Sequence, residues 1–119
     1  MLKKVDHVVV FVSDMSRAIK FYTQTLGIPL KFESEGWSEL ATEGVWIGLH
    51  ESNLSPEDRS KNEGMRVVFR VDDVEEAYRE LKTKGVTLTR EPEVINPHTG
   101  ERLAELMDTE GNRISIYGK

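Results

Sequence analysis

The spacing of apolar residues along this chain runs through one pattern and then runs through it again. Val8-Val9-Val10-Phe11-Val12 is a run of β-branched and aromatic residues, which predicts a strand over residues 4–12. Ser13-Asp14 then offers a helix N-cap, and Met15, Ala18, Ile19, Tyr22 and Leu26 follow at helical spacing. Gly27 stands where a left-handed C-cap falls, and Pro29 prevents continuation. Strands are predicted at 30–34, 37–42 and 45–50. Residues 51–64 are polar and contain Pro56, so they read as a linker. The second pass begins with a strand at 65–71. Asp73 caps a helix with Val74, Ala77, Tyr78 and Leu81 inward, and Gly85 ends it. Strands follow near 86–89, 102–107 and 113–117.

The two passes superpose. Residues 7–14 (HVVVFVSD) align with 66–73 (RVVFRVDD), Ala18 with Ala77, and Gly27 with Gly85 after the loss of one residue. Near the ends, Thr42-Glu43-Gly44 aligns with Thr109-Glu110-Gly111. Caps, apolar positions and turns coincide, which points to an internal duplication. The expected fold is α+β: a single domain, 1–119, built from βαβββ modules at 1–50 and 65–119 and joined by 51–64.

Composition narrows the setting. With 38% hydrophobic and 31% charged residues the chain has a globular balance. Its 119 residues could bury roughly two thirds of the unfolded surface. No apolar run approaches the ~18 residues of a membrane helix, and the basic start leads into no signal-peptide segment, so a cytoplasmic protein without a membrane partner is expected. A net charge of −5 argues against a nucleic-acid partner. With no cysteine, disulfides, thiol nucleophiles and thiolate ligands are excluded. The sequence holds no phosphate-cradling glycine loop, nucleophile elbow or His-Glu-x-x-His helix.

His7-Val-Val-Val-Phe-Val-Ser-Asp with Ala18, Phe21-Tyr22 and Leu26-Gly27 resembles the opening of the glyoxalase / bleomycin-resistance / extradiol-dioxygenase superfamily, the vicinal oxygen chelate proteins. Val71-Asp72-Asp73-Val74 with Gly85, and Asp108-Thr109-Glu110-Gly111-Asn112, resemble its second-half signatures. The resemblance covers nearly the whole chain. It implies that each module curls into half of a mostly antiparallel open barrel around a small-molecule cavity. It also implies a divalent metal in many members, and a homodimer for chains of this length.

The resemblance places His7 facing the cavity. Alternation then turns Val9 and Phe11 inward and, by the repeat, Arg66, Val68 and Arg70. Ile114 and Ile116 read as core, so Arg113, Ser115 and Tyr117 face the cavity, as do their counterparts Trp46, Gly48 and His50. A type I turn over Thr109-Glu110, with Gly111 as a left-handed bulge, places Glu105 opposite Ser115. The four positions that hold metal in relatives read His7, Gly48, Arg66 and Ser115 here, and only His7 suits a cation. A displaced set of His7, His50 and Glu105 could hold one divalent ion, Fe(II), Mn(II), Ni(II) or Zn(II). Arg66 and Arg113, with Arg70, would favour an anionic ligand unless they pair with Glu105 or lie at the rim. Phe11, Trp46 and Tyr117 could supply a stacking wall beside Ser115, while Trp37 and Trp46 could equally be core or dimer contacts. His98 reads as an exposed loop residue, and no catalytic residue is identified. Three functions follow: a metal-dependent lyase or dioxygenase, a metal-free protein that sequesters a ligand as antibiotic-resistance proteins do, or a module in which only dimerisation matters.

Overall fold

A computed structural model describes residues 1–119. The first module is β1 (His7–Val12), α1 (Met15–Lys20), β2 (Leu30–Phe32), β3 (Trp37–Leu40) and β4 (Trp46–Glu51). A short helix, α2 (Pro56–Arg59), precedes the second: β5 (Val67–Val71), α3 (Val74–Thr83), β6 (Thr87–Asn96), β7 (Glu101–Met107) and β8 (Arg113–Gly118). Each module forms its own four-stranded sheet, in the orders β1-β4-β3-β2 and β5-β8-β7-β6. In each, the first strand runs parallel to the fourth and the rest are antiparallel. The duplication is therefore topological, and the two sheets are not closed into one barrel.

The predicted caps form. Asp14 accepts the Arg17 N–H at 3.0 Å and Asp73 accepts the Glu76 N–H at 3.0 Å. Gly27 and Gly85 end their helices at φ 76° and 78°, a conformation that costs glycine nothing.

Three stretches differ from the sequence expectation. The first helix does not run on to Leu26 as an α-helix. After Lys20 it widens into a π-helical turn, Phe21–Thr25, in which the Leu26 N–H reaches back to Phe21. The wider turn buries Phe21 and Tyr22 side by side. β6 extends to Asn96 rather than stopping at Thr89, because an edge strand tolerates Pro92 and absorbs it with register shifts around Arg90 and Glu93. The 51–64 segment contains α2, capped by Ser55, and it buries Arg59.

Alternation along the strands sorts the core. Val10, Val12, Ile47 and Leu49 pack beneath the helices of the first module, and Leu106, Ile114 and Ile116 do so in the second, in one cluster shared by both. The opposite, concave faces are left uncovered: Phe11, Phe32 and Val68 are each about half exposed, at 49%, 50% and 53%.

A polar clasp joins the modules. The Glu110 side chain, from the β7–β8 turn, is fully buried in the β1–α1 corner. It accepts the N–H groups of Ser13 and Asp14 at 2.9 Å, Arg17 Nε at 2.7 Å and the Thr109 hydroxyl at 2.7 Å. Beside it the Tyr22 hydroxyl donates to Asp108 at 2.6 Å, and Asn112 Nδ2 donates to the Phe11 carbonyl at 2.8 Å. Gly111 closes the predicted turn at φ 85°, and a Cβ there would lie within 2.9 Å of the Pro56 backbone. Gly111→Ala should therefore lower stability by about 2 kcal/mol in a denaturant titration, combining strain with the collision.

Candidate functional site

Ladder pairing sets the first concave face. His7 pairs with Trp46, Val9 with Gly48 and Phe11 with His50, while Trp37 and Glu39 on β3 pair with His50 and Gly48. Partners across a ladder share a face, so these side chains gather on one surface. His7 stacks on Trp46, with ring centroids 4.2 Å apart and planes at 17°. Phe11 and His50 meet edge to face at 5.7 Å. Between these pairs stands the Trp37 indole, nearly perpendicular to His7 at 6.0 Å and to Trp46 at 6.2 Å, and tilted 68° to His50 at 6.1 Å. Its Nε1–H donates to Glu39 Oε2 at 2.9 Å. The indole lies directly over Gly48: a Cβ there would meet Cζ2 and Cζ3 at 2.7 and 2.9 Å, and Cη2 closer still. Lys31 reaches over the Trp46 ring, 5.3 Å from its centroid. Asp6 hydrogen-bonds His7 Nδ1 at 2.8 Å, and this bond holds the Asp6 carboxyl below its usual range.

The second concave face is ionic. Arg66 and Arg90 both point a guanidinium nitrogen at Glu105 Oε2, at 3.0 and 3.3 Å, and Arg90 also pairs with Glu93 at 3.1 Å. Hydrogen bonds from Glu105 and Glu93 raise the pKa of Arg90. Glu101 accepts from Thr99 at 2.9 Å, Arg70 at 3.1 Å and the Tyr117 hydroxyl at 3.0 Å, and these bonds lower its pKa. Arg70 also lies over the Tyr117 ring. Arg113 Nε donates to the Ser60 carbonyl at 3.2 Å. Glu105 pairs with Ser115, as the turn geometry predicts, and the buried Ser115 hydroxyl has no partner.

Elsewhere a hollow of about 350 Å³ lies on the helix side of the second sheet, between α3 and the Gly27 turn. Its walls are core-facing side chains such as Phe69, Leu81 and Ile114. Its polar rim is already paired, because Lys84 bonds the Thr25 carbonyl at 3.0 Å and Glu80 at 3.4 Å. No polar groups converge there as a ligand site requires, so it is a packing gap.

The sequence profile of the Glyoxalase/Bleomycin resistance protein/Dioxygenase superfamily matches residues 4–116. The chain belongs to this superfamily. The Bacillus subtilis protein YurT, itself uncharacterised, is 34% identical over 92% of this chain and 94% of its own length. The metallothiol transferase FosB of Staphylococcus haemolyticus is 29% identical over 74% of this chain, and the match spans 65% of the length of that relative. Among solved structures, TnmS3, an antibiotic binding protein from Streptomyces sp. CB03234, superposes with a TM-score of 0.73 at 27% identity, covering 98% of this chain and 96% of its own.

The four family positions do not fit a metal. Gly48 has no side chain, and its place is filled by the Trp37 ring. Arg66 is a cation committed to Glu105, and Ser115 offers only a buried neutral hydroxyl. The displaced set is not assembled within one chain either, where no three His, Asp or Glu side chains gather as a metal site. His7 and His50 stand on either side of Trp37, and Glu105 lies on the other sheet between two arginines. His98 is exposed in the β6–β7 turn.

Phe11 and Trp46 share the first face. Arg66, Arg113, Ser115 and Tyr117 share the second. Sequence reasoning left out Glu39 and Lys31 and did not place Trp37. Period-2 alternation from Trp37 carries the signal for Glu39, but nothing in the sequence ties Trp37 to Gly48. Arg90 and Glu93 were missed with the extension of β6 past Pro92.

Proposed function

We propose that this protein binds a planar, aromatic small molecule on the first concave face, and that it does so without a metal at the family positions. The observation that carries this reading is the aromatic cluster of His7, Trp46, Trp37, Phe11 and His50, with an indole where relatives place a metal ligand. Aromatic faces stack planar ligands, and a half-buried acceptor such as Glu39 orients them. The likeness to an antibiotic binding protein supports sequestration. The ionic second face supports a ligand that is not strongly anionic, since Arg66, Arg70 and Arg90 are already neutralised.

The cavity is completed by a second copy. β1 and β5 are edge strands, and apolar residues stand exposed on both concave faces. A homodimer that set the first face of one chain against the second face of its partner would cover both.

The test has two arms. In a thermal-shift screen, planar aromatic compounds should raise the melting temperature, and Trp46→Ala should weaken the best of them about tenfold, the loss of a stacking partner and its apolar area. Metal analysis of the purified protein, with Mn(II), Fe(II), Ni(II) and Zn(II) titrations, should give no stabilisation that His7→Ala abolishes. Near-stoichiometric metal lost in His7→Ala would overturn the reading and support a metal enzyme using His7, His50 and Glu105 across the dimer.

A further inference from the structure

On the first concave face one side chain, the Trp37 indole, lies over the floor of the sheet at Gly48. Three features distinguish Trp37 from its neighbours. It rests on a glycine floor, where a Cβ would collide with the ring. Its ring meets His7, Trp46 and His50 at centroid distances of 6.0–6.2 Å, whereas His7 and Trp46 are stacked at 4.2 Å. It is therefore touched edge-on and is not clamped. Its one polar atom, Nε1–H, points along the face to Glu39, whose other oxygen meets only Lys31 at 3.9 Å. The strand that carries Trp37 is four residues long and follows an exposed turn at 33–36.

We infer that the Trp37 indole occupies the ligand slot, and that the ligand is a planar heteroaromatic whose ring N–H replaces that of Trp37 on Glu39. This rests on the first concave face being the ligand face, and it adds the slot and the ligand class. Gly48 is the floor, His7–Trp46 and Phe11–His50 are the walls, and Glu39 is the acceptor. The acceptor selects rings with an edge N–H over rings without one, because a carboxylate left facing a carbon edge loses a charge-assisted hydrogen bond. Trp37 must swing out for the ligand to enter, so it competes with the ligand. A plug in place about 90% of the time weakens apparent affinity about tenfold.

Indole and 1-methylindole are the probes, read by the ¹⁵N-resolved Nε1–H signals of the two tryptophans. Indole should shift the Trp37 signal of the wild type strongly, as that group leaves Glu39. W37A, and W37L as a second variant should W37A fold poorly, should bind indole about tenfold tighter than the wild type. W46A removes a stacking wall and leaves Trp37 on Glu39, so it should gain no affinity. 1-Methylindole should bind W37A about tenfold more weakly than indole does. Weaker indole binding by both Trp37 variants would make Trp37 a wall and overturn the inference, while the aromatic-face reading stands. Equal affinity of the two probes for W37A would overturn the role of Glu39. No binding of either probe to any of these proteins would overturn the inference and the proposed function together.

Discussion

Replacing Glu110 with Ala should destabilise the protein by about 3 kcal/mol, because a fully buried carboxylate is taken from a half-exposed arginine and from several hydrogen-bond donors. The side chain is fully buried, yet it is the acceptor for two backbone N–H groups at the start of α1, for Arg17 and for Thr109. Truncation leaves those donors without their acceptor, and Arg17 loses its counter-charge. Glu110 reaches from the second module into the first, so the loss should appear as a less cooperative denaturant transition as well as a lower midpoint. The pH dependence of stability gives an independent check. Burial alone would raise the pKa of Glu110, but the bonds from Arg17, Thr109 and the Asp14 and Ser13 amides outweigh it and bring it from 4.5 to about 2. A carboxyl with a lowered folded pKa stabilises fully above its unfolded value. That contribution, about 3 kcal/mol, drains away as the pH falls from about 4.5 to about 2. Asp108 acts in the opposite direction: burial raises its pKa despite Tyr22 and Asn112, so it resists ionisation in the fold. Glu110→Gln should flatten the acid limb between those pH values; an unchanged limb would show that the clasp carries no net stability.

The same corner shows how much was legible beforehand. Helix caps at Asp14 and Asp73, glycine stops, the turn at Gly111 and the facing of Glu105 and Ser115 all follow from local chemistry and period-2 alternation, which a duplicated sequence states twice. Glu110 was visible only as a turn residue that repeats Glu43. Its burial is a tertiary event, since it depends on where the second module's turn meets the first module's helix. Pro92 hid half of β6, because a proline argues against a strand except at an edge, and edges are set by the whole sheet. On the concave faces, sequence placed residues on the correct side without saying what each would touch. The arginines read as a candidate anion site because sequence left open whether Glu105 pairs with Arg66, and because Glu101, the partner of Arg70 at the start of β7, had not been located. Trp37 over Gly48 required the side-chain direction itself.

Glu105→Gln should convert the second concave face from neutral to anion-binding. Arg66 and Arg90 share one oxygen of Glu105, and Ser115 stands opposite with an unpartnered hydroxyl. Glutamine keeps the length and one acceptor but removes the charge, so Arg66 loses its carboxylate and Arg90 keeps only Glu93. All three ionic side chains are at least partly exposed, so the stability loss should stay near 1 kcal/mol or below. The gain in anion affinity should be larger: one newly available charge-assisted contact, from Arg66, amounts to about tenfold for a probe such as 1-anilinonaphthalene-8-sulfonate. Because the site is near the surface, the gain should shrink between 50 mM and 500 mM salt, and adding Arg66→Gln should reverse most of it. Wild-type affinity for the same probe should be weak, since the chain carries a net charge of −5 and Arg66, Arg70 and Arg90 are already paired with carboxylates. If Glu105 instead serves as a metal ligand, Glu105→Gln would abolish a metal-dependent rise in melting temperature and leave anion affinity where it was. The two measurements on one variant therefore decide whether this carboxylate neutralises arginines or holds a cation. That choice also decides whether the aromatic face works opposite a neutral wall or a reactive one.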